Sequence, residues 1–470
     1  MGYQSEAELE NRLIKKLETQ GYERVLINDY AELENNFRKQ LNKFNKKALD
    51  SKLLTDKEFE RVLNILNGKS VLQSAIKLRE KIDFDREDGT KIYLKLLSEN
   101  SEDNIYQVSN QITVQGKYKN RYDVTILING LPLVQIELKR SGIDINEAIN
   151  QIDRYRIHSY RGLFHYIQIY VVSNSVETRY FANTDAQRLL KSLTFYWTTE
   201  TNERINKLED FSSSFFNKTR LLKNITRYMV INETDKNLIV MRPYQIYATE
   251  ALIRHALDTG KNGYIWHTTG SGKTLTSWKC ANLLSKEQSI KKVFFLIDRK
   301  DLDTQTKEEF NKFEKDCVDT TDNVATLIKQ IEDINSRLIV TTIQKLSRLL
   351  KSEKYEKRME KYREEKVVFI IDECHRSQFG EMHTAINRHF KYAQYFGFTG
   401  TPRLIENKSQ DGRTTADIFD KCLHHYLIKD AIHDGNVLGF SVEYIKTFDG
   451  EVNEYDDERI KAIDKEEVFM

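Results

Sequence analysis

The chain has 470 residues, of which 39% are hydrophobic and 31% charged, and it is long enough for two or three domains with separate cores. Lys and Arg (73) nearly balance Asp and Glu (71), so the net charge alone does not reveal a polyanionic partner. No run approaches the roughly 20 apolar residues that cross a bilayer, the start lacks a secretory signal, and the four cysteines form no CxxC pair. We therefore expect a cytoplasmic protein with no membrane partner and no zinc site.

The first 185 residues show the pattern of a compact α/β unit. A helical pattern over residues 4–20 ends at Gly21, a typical helix-stop residue, and residues 31–100 are mostly charged and also helical in pattern. Strands are expected at 111–115, 121–128, 131–138, 166–173 and 177–182, with a helix at 144–156. Asn129-Gly130 lies between two of these strands and predicts a tight hairpin.

From about residue 238 the pattern changes to strand, loop and helix repeats. Short runs rich in Val, Ile and Phe occur at 264–267, 293–297, 338–342, 367–371 and 395–399. Such runs, alternating with helical segments, predict a parallel sheet covered on both faces. Residues 186–235, between the two patterned regions, are interpreted as a helical or irregular connector.

The predicted hairpin carries residues suited to phosphodiester hydrolysis. Glu137 and Lys139 are two apart on a strand, so their side chains project from the same face, and the turn brings Asp123 alongside. Two converging carboxylates are candidate Mg²⁺ ligands, and the lysine can orient a water and stabilise charge on a phosphate. The alternative is a hairpin with ordinary cross-strand ion pairs.

The run TTGSGKT, from Thr268 to Thr274, follows a predicted strand and precedes a predicted helix. This is the pattern of a phosphate-binding P-loop, in which glycines and a helix N-terminus present N–H groups to phosphates. Lys273 is expected to reach the β- and γ-phosphates of ATP, and the Thr274 hydroxyl to bind Mg²⁺. His267 stands where the general pattern has glycine. The alternative is a glycine-rich turn beside an exposed lysine.

A second acidic pair follows the buried run VVFII, at the carboxyl edge of the predicted sheet. Asp372 is expected to hold Mg²⁺, and Glu373 to orient or deprotonate the attacking water. The alternative for an acidic strand end is a solvated surface.

In this context Asp372-Glu373-Cys374-His375 resembles the DExH signature of superfamily 2 helicases, and residues 399–402 (TGTP) resemble their motif III. The resemblance implies an ATP site formed by Gln245, Thr269, Gly270, Ser271, Gly272, Lys273, Thr274, Asp372 and His375. It also implies DNA-backbone contacts by Arg299, Gln305, Thr342 and Gln344, for which helix caps or solvated loops are the alternative. Gln245 would read adenine.

The hairpin resembles the PD-(D/E)xK nuclease fold in its RecB-like branch, because Gln151 and Tyr155 form a QxxxY pair on one helix face. An acidic residue of the first helix often completes that site, and Glu10 is preferred here to Glu6 or Glu8. The implied metal ligands are Asp123 and Glu137 in the nuclease site, and Thr274 and Asp372 in the ATP site.

A nuclease of this branch placed before a superfamily 2 motor resembles the restriction (R) subunit of type I restriction-modification enzymes. The resemblance implies an α/β protein that uses ATP and Mg²⁺, translocates and cleaves double-stranded DNA, and assembles with modification (M) and specificity (S) subunits.

The expected domains are a PD-(D/E)xK nuclease at 1–185, the connector at 186–235, and a first RecA-like ATPase domain at 236–470. No second RecA-like domain is recognisable in 403–470, so we expect ATP turnover by the 470-residue chain alone to be near background. The alternatives are a repair-type helicase–nuclease without M and S partners, and a truncated, non-catalytic fragment that binds DNA or ATP.

Overall fold

The computed structural model describes residues 5–68, 70–115, 119–297, 324–352, 355, 358–374, 386, 388–408 and 412–437. The chain divides into two units, Met1–Pro243 and Tyr244–Met470. Within these described ranges, no helix is long and apolar enough to span a bilayer.

The first unit is built around a six-stranded mixed sheet with the strand order β1-β4-β5-β6-β7-β8. Pairs β1/β4 and β6/β7 are parallel, and the other neighbours are antiparallel. The elements of this unit, in chain order, are α1 (Glu6–Thr19), β1 (Glu23–Arg24), α2 (Tyr30–Phe44), α3 (Asp56–Leu66), α4 (Val71–Arg79), β2 (Lys81–Asp85), β3 (Lys91–Lys95), β4 (Tyr106–Gln115), β5 (Lys119–Ile128), β6 (Leu131–Leu138), α5 (Ile145–His158), β7 (Ile169–Ser173), β8 (Thr178–Ala182), α6 (Leu208–Phe215), α7 (Lys218–Thr226), β9 (Met229–Asn232) and β10 (Asn237–Val240).

The predicted hairpin is confirmed as β5 and β6. Asn129 (φ 52°) and Gly130 (φ 82°) both have left-handed backbone, as a two-residue type I′ turn requires. A side chain at Gly130 would begin 2.7 Å from the Phe37 Cα in α2, so the turn also needs glycine for space. All eight residues of β6 are buried, because this strand lies between β5 and β7 inside the sheet.

Two regions differ from the sequence-based expectation. The segment 31–100 contains a small antiparallel pair, β2 and β3, whose residues alternate between exposed and buried. These strands are five residues long with charged exposed faces, so their period of two is easily taken for a solvated helix. Residues 186–235 include α6 and α7, and they bury large side chains such as Trp197 and Phe211 within the first unit.

The second unit contains a six-stranded, all-parallel sheet with the strand order β13-β12-β14-β15-β11-β16. Its elements are α8 (Pro243–Asp258), β11 (Gly263–His267), α9 (Lys273–Lys286), β12 (Lys292–Ile297), α10 (Val324–Glu332), β13 (Leu338–Thr342), α11 (Ile343–Leu350), β14 (Val367–Ile371), β15 (Ala393–Thr399), α12 (Thr415–Phe419), β16 (Lys421–Tyr426) and α13 (Ile428–His433). The five predicted strands are confirmed. Strand β16 was not expected, since its sequence, KCLHHY, lacks the β-branched residues that mark the others.

A buried ion pair links α3 to the turn between β2 and β3. Both carboxylate oxygens of Glu58 accept hydrogen bonds from the Arg86 guanidinium at 3.1 Å, and the N–H groups of Thr55 and Glu87 also donate to this carboxylate. Burial opposes ionisation, but the Arg86 and backbone hydrogen bonds outweigh it and lower the pKa of Glu58 to about 2.

We expect Arg86→Leu to destabilise the first unit by about 3–5 kcal/mol, because it leaves a buried carboxylate without its cation. Hydrogen exchange of α3 amides during urea unfolding would measure this. Since the pKa of Glu58 is lowered from 4.5 to about 2, the contribution of the pair is complete above pH 4.5 and disappears as the pH falls towards 2.

The matched control is Asp83→Ala, which breaks the exposed Asp83–Lys91 pair (2.9 Å) on the same small sheet. Its cost should be below about 1 kcal/mol. Equal effects of the two substitutions would contradict the role assigned to the buried pair.

Candidate functional site

Two carboxyl groups lie opposite each other at one end of the β5–β6 hairpin. The strand register pairs Val124 with Ile136, so Asp123 and Glu137 are the next residues facing across the strands. The Leu138 N–H donates to Asp123 Oδ2 at 2.8 Å, and Glu137 is fully buried. The predicted convergence of these two side chains is therefore present in the structure.

The electrostatics of this pair would favour a bound cation. Burial raises the pKa of Asp123 to about 6, against the Leu138 N–H and Lys139, which lower it, and the charge of Glu10 raises it further. Burial, followed by the charge of Asp123, raises the pKa of Glu137 well above its usual range. A fully buried and a half-buried carboxyl group that repel each other are stabilised in ionised form by a cation held between them.

Lys139 is the nearby cation of the hairpin. Its Nζ lies 3.2 Å from the Leu138 carbonyl oxygen and 3.9 Å from Glu6 Oε1, and its side chain is largely buried. In the ranges that the structure describes, no group of three or more His, Cys, Asp or Glu side chains is arranged to hold a metal ion. Asp123 and Glu137 provide two carboxylates, and this donor set fits Mg²⁺, which commonly takes one or two carboxylates and completes its shell with water and substrate phosphate.

Glu10 of α1 also reaches this end of the sheet. It is buried and accepts hydrogen bonds from Asn110 Nδ2, at 3.2 Å, and from Gln111 Nε2. Gln111 has a left-handed backbone (φ 59°) and lies opposite Asp123 between two regular register pairs of β4 and β5. Strain of this kind is concentrated at functional sites. Glu10 thus lies at the site, whereas Glu6 lies at the edge of the site and contacts Lys139.

The QxxxY pair of α5 contacts the hairpin directly. Gln151 Nε2 donates to Glu137 Oε2 at 2.9 Å and also hydrogen-bonds the Tyr155 hydroxyl. The Tyr155 hydroxyl donates to the Arg121 carbonyl oxygen at 3.2 Å. These contacts connect the helix to Glu137, so the pair supports a carboxylate of the site.

We expect divalent-cation binding at this site to weaken as the pH falls through about 6, because the cation must displace the proton from Asp123. Below that pH the affinity should fall about tenfold per pH unit for each proton displaced. Calorimetric titration of the 470-residue chain with Mn²⁺ between pH 5 and 8, without nucleotide, would measure this.

Asp123→Asn is the control for that titration. It should abolish Mn²⁺ binding at this site, because it removes one of the two carboxylate ligands. It should also raise the melting temperature at pH 8, since a carboxyl with a raised pKa in the fold destabilises the fold above that pKa. Binding that is independent of pH in the unsubstituted chain would contradict the assignment.

The P-loop lies between β11 and α9, as predicted. Gly270 (φ 78°) and Gly272 (φ 75°) have left-handed backbone, and Gly272 is the N-cap of α9. The Ser271 hydroxyl donates to the Thr268 carbonyl at 2.7 Å. Thr269 is exposed and Thr274 half-buried, so the loop presents the open, N–H-rich turn that phosphate binding requires.

The acidic pair and TGTP meet the P-loop at the carboxyl edge of the sheet. Asp372 follows β14, and Lys273 Nζ lies 3.3 Å from Glu373 Oε1. Glu373 has a left-handed backbone (φ 47°). A side chain at Gly400 would begin 3.4 Å from both Lys273 Nζ and the Thr269 nitrogen, which shows how closely TGTP approaches the loop.

Gln245 of α8 is buried against the P-loop backbone. Its Nε2 donates to the carbonyl oxygens of Ser271 (3.2 Å) and Gly272 (3.3 Å), and the Tyr244 hydroxyl donates to Ser271 at 2.7 Å. Gln245 is thus adjacent to the nucleotide loop, and adenine reading stays a prediction.

The expected DNA contacts are only partly described. The Thr342 hydroxyl caps α11 by accepting from the Lys345 N–H at 3.2 Å, which matches the helix-cap alternative, and Gln344 is exposed. Arg299, Gln305 and His375 lie outside the described residues.

Three polar contacts have no counterpart in the sequence-based prediction. His267 Nε2 lies 3.0 Å from His424 Nδ1, and burial, with the nearby His424 and Lys273, lowers the pKa of His267 well below its usual range. The amide of Gln135 contacts Glu137 at 3.2 Å, and the Thr125 hydroxyl contacts Gln135. Gln135 is two residues before Glu137 on the same strand face, a spacing that could have identified it.

Two family models match the chain. The model described as type I restriction enzyme R protein N terminus (HSDR_N) matches residues 3–188, and the model described as SWI2/SNF2 ATPase matches residues 244–468. The second match begins at the residue where the second structural unit begins.

Named relatives match as well. The type I restriction enzyme SauMRSORF196P endonuclease subunit of Staphylococcus aureus (strain MRSA252) is 58% identical over 472 residues, covering 100% of this chain and 50% of the relative. The SsaAORF53P endonuclease subunit of Staphylococcus saprophyticus is 54% identical with the same coverage. The EcoprrI endonuclease subunit of Escherichia coli is 41% identical over 263 residues, covering 53% of this chain and 82% of that protein. The chain spans about half the length of the staphylococcal relatives.

Proposed function

Since this chain belongs to the family of type I restriction enzyme endonuclease (R) subunits, we propose that it carries the nuclease site and part of the ATP-driven motor of such an enzyme. The observation that carries the nuclease half is the half-buried Asp123 opposite the fully buried Glu137, beside Lys139 at the end of a hairpin. The substrate would be unmodified double-stranded DNA, translocated with ATP and cleaved in a Mg²⁺-dependent reaction.

In the nuclease site, Asp123 and Glu137 would hold Mg²⁺, which supplies positive charge to the attacked phosphate when it is bound. Lys139 would orient the attacking water and stabilise charge that develops on the phosphate oxygens. Gln151 keeps Glu137 in place through its 2.9 Å hydrogen bond, and Glu10 adds a third acidic group near Asp123.

In the ATP site, Thr274 and Asp372 would hold Mg²⁺, and Lys273 would contact the β- and γ-phosphates. Lys273 pairs with Glu373 at 3.3 Å, so phosphates that attract the lysine would compete with this contact. The Glu373 carboxylate would then be available to orient the attacking water. In this scheme, binding of the nucleotide to Lys273 releases Glu373, so the two events are coupled.

The partners that we propose are DNA, which a specificity (S) subunit would recognise, and a modification (M) subunit in the same complex. The names of the relatives favour this assembly over a repair-type helicase–nuclease. A cytoplasmic location is proposed because Cys280 and Cys422, within the described residues, form no disulfide, which fits a reducing compartment.

Substitution in the nuclease site should separate cleavage from ATP turnover. In a complete endonuclease subunit assembled with M and S, Asp123→Ala or Lys139→Ala should reduce double-strand cleavage at least about 100-fold, because charge stabilisation at the phosphate is lost. DNA-stimulated ATPase should remain near the unsubstituted rate. Linearisation of circular DNA and phosphate release would be followed in parallel. Normal cleavage by both variants would show that the nuclease site lies elsewhere.

Substitution in the P-loop should affect both activities. Lys273→Ala removes the cation that faces the β- and γ-phosphates, so ATPase should collapse, and cleavage should fail with it if cutting requires translocation. Lys286→Ala, an exposed lysine at the end of the same helix, is the matched control and should leave both activities unchanged. Undiminished ATPase in Lys273→Ala would place the phosphates elsewhere.

A further inference from the structure

A neutral polar pair lies one step behind the carboxylates, inside the sheet. Thr125 of β5 and Gln135 of β6 are direct cross-strand partners, and both side chains are completely buried. Because side chains two apart on a strand share a face, this pair lies behind Asp123 and Glu137. The face therefore has an outer carboxylate row and an inner row formed by a hydroxyl and an amide.

The inner row is hydrogen-bonded to the outer row. The Thr125 hydroxyl donates to Gln135 Oε1 at 2.8 Å, and Gln135 Nε2 donates to Glu137 Oε1 at 3.2 Å. The other oxygen of the same carboxylate, Oε2, accepts from Gln151 Nε2 at 2.9 Å. Each oxygen of Glu137 thus has one amide donor, one from its own strand and one from α5.

Two donors on two oxygens fix the plane of a carboxylate. A single donor from Gln151 would leave the group free to rotate about that contact, which would move the lone pairs that face Asp123. The Gln135 amide donates a hydrogen bond, which favours the ionised form of the carboxylate. Because the amide is neutral, it does not compete with a cation for that carboxylate. Thr125 holds the amide with its N–H₂ directed to Glu137, because its hydroxyl donates to the amide oxygen.

We propose that Gln135, anchored by Thr125, is a positioning residue that orients Glu137 for divalent-cation binding. The inference rests on the proposed nuclease function and adds two residues to its site. A positioning role for Gln135 differs from a purely structural role in one measurable respect. If Gln135 positions Glu137, removing its amide changes the affinity for the cation, whereas a structural role would change only the stability of the fold.

The test is Mn²⁺ titration calorimetry of the 470-residue chain at pH 8, without nucleotide. The part of the signal that Asp123→Asn abolishes defines binding at this site. Gln135→Leu should weaken that part about 10–100-fold, the usual effect of losing a partner that orients a metal ligand. Thr125→Val, which removes only the hydroxyl, should weaken it in the same direction, and Thr125→Ser should restore it.

Gln107→Leu is the matched control. Gln107 is also a completely buried amide of this sheet, but it lies on β4 and its Oε1 accepts from Asn36 Nδ2 at 2.9 Å. This substitution should change the melting temperature and leave Mn²⁺ affinity unaltered. Should Gln135→Leu fail to fold, the Thr125→Val and Thr125→Ser pair decides the question.

In the assembled enzyme, Gln135→Leu should raise the Mg²⁺ concentration for half-maximal cleavage and leave ATPase unchanged. Unaltered Mn²⁺ affinity in Gln135→Leu and Thr125→Val, with binding abolished by Asp123→Asn, would overturn this inference alone. If Asp123→Asn itself changed neither Mn²⁺ binding nor cleavage, the proposed nuclease site would fail instead.

Discussion

The constraint on which the first unit depends is the placement of two carboxyl groups side by side, one fully buried and the other half-buried. Asp123 and Glu137 face each other across a hairpin, and burial opposes ionisation of both. The adjacency depends on the Asn129-Gly130 turn together with a one-residue register shift between Ile126 and Leu127. A slip of one residue would turn Glu137 to the other face of β6. The turn and this irregularity in β5–β6 pairing, both away from the carboxylates, therefore determine whether the two side chains meet.

The two sites have opposite electrostatic requirements. The first has the fully buried Glu137 beside the half-buried Asp123, a third acidic group in Glu10 and a nearby lysine, so a bound cation would relieve its repulsion. The second holds a lysine, Lys273, paired with Glu373, and on the proposed function phosphate would compete for that lysine. The residues described for each arrangement lie within one unit of the chain.

Sequence patterns predicted the features that depend on local rules. Strand periodicity and one turn dipeptide located Asp123, Glu137 and Lys139, and the P-loop spacing located Lys273. The patterns did not reveal that Gln245 would contact P-loop carbonyls, since a side-chain amide can satisfy many partners and only tertiary packing selects one. Strand β16 was missed for a related reason. Its conformation depends on pairing with β11, which its own composition does not indicate.

On the proposed function, the small number of protein ligands at the nuclease site makes binding of the cation depend on binding of DNA. Two carboxylates leave most of the coordination shell of Mg²⁺ to water and to a DNA phosphate. Because burial raises the pKa of Asp123 to about 6 and also raises the pKa of Glu137, cation binding must also displace protons wherever these groups are protonated. Both effects weaken binding in the absence of DNA. The DNA phosphate then contributes to the affinity for the cation, so the site would be complete only with its substrate bound. Because Gln135 and Gln151 already orient Glu137, this ligand would need little rearrangement when DNA binds.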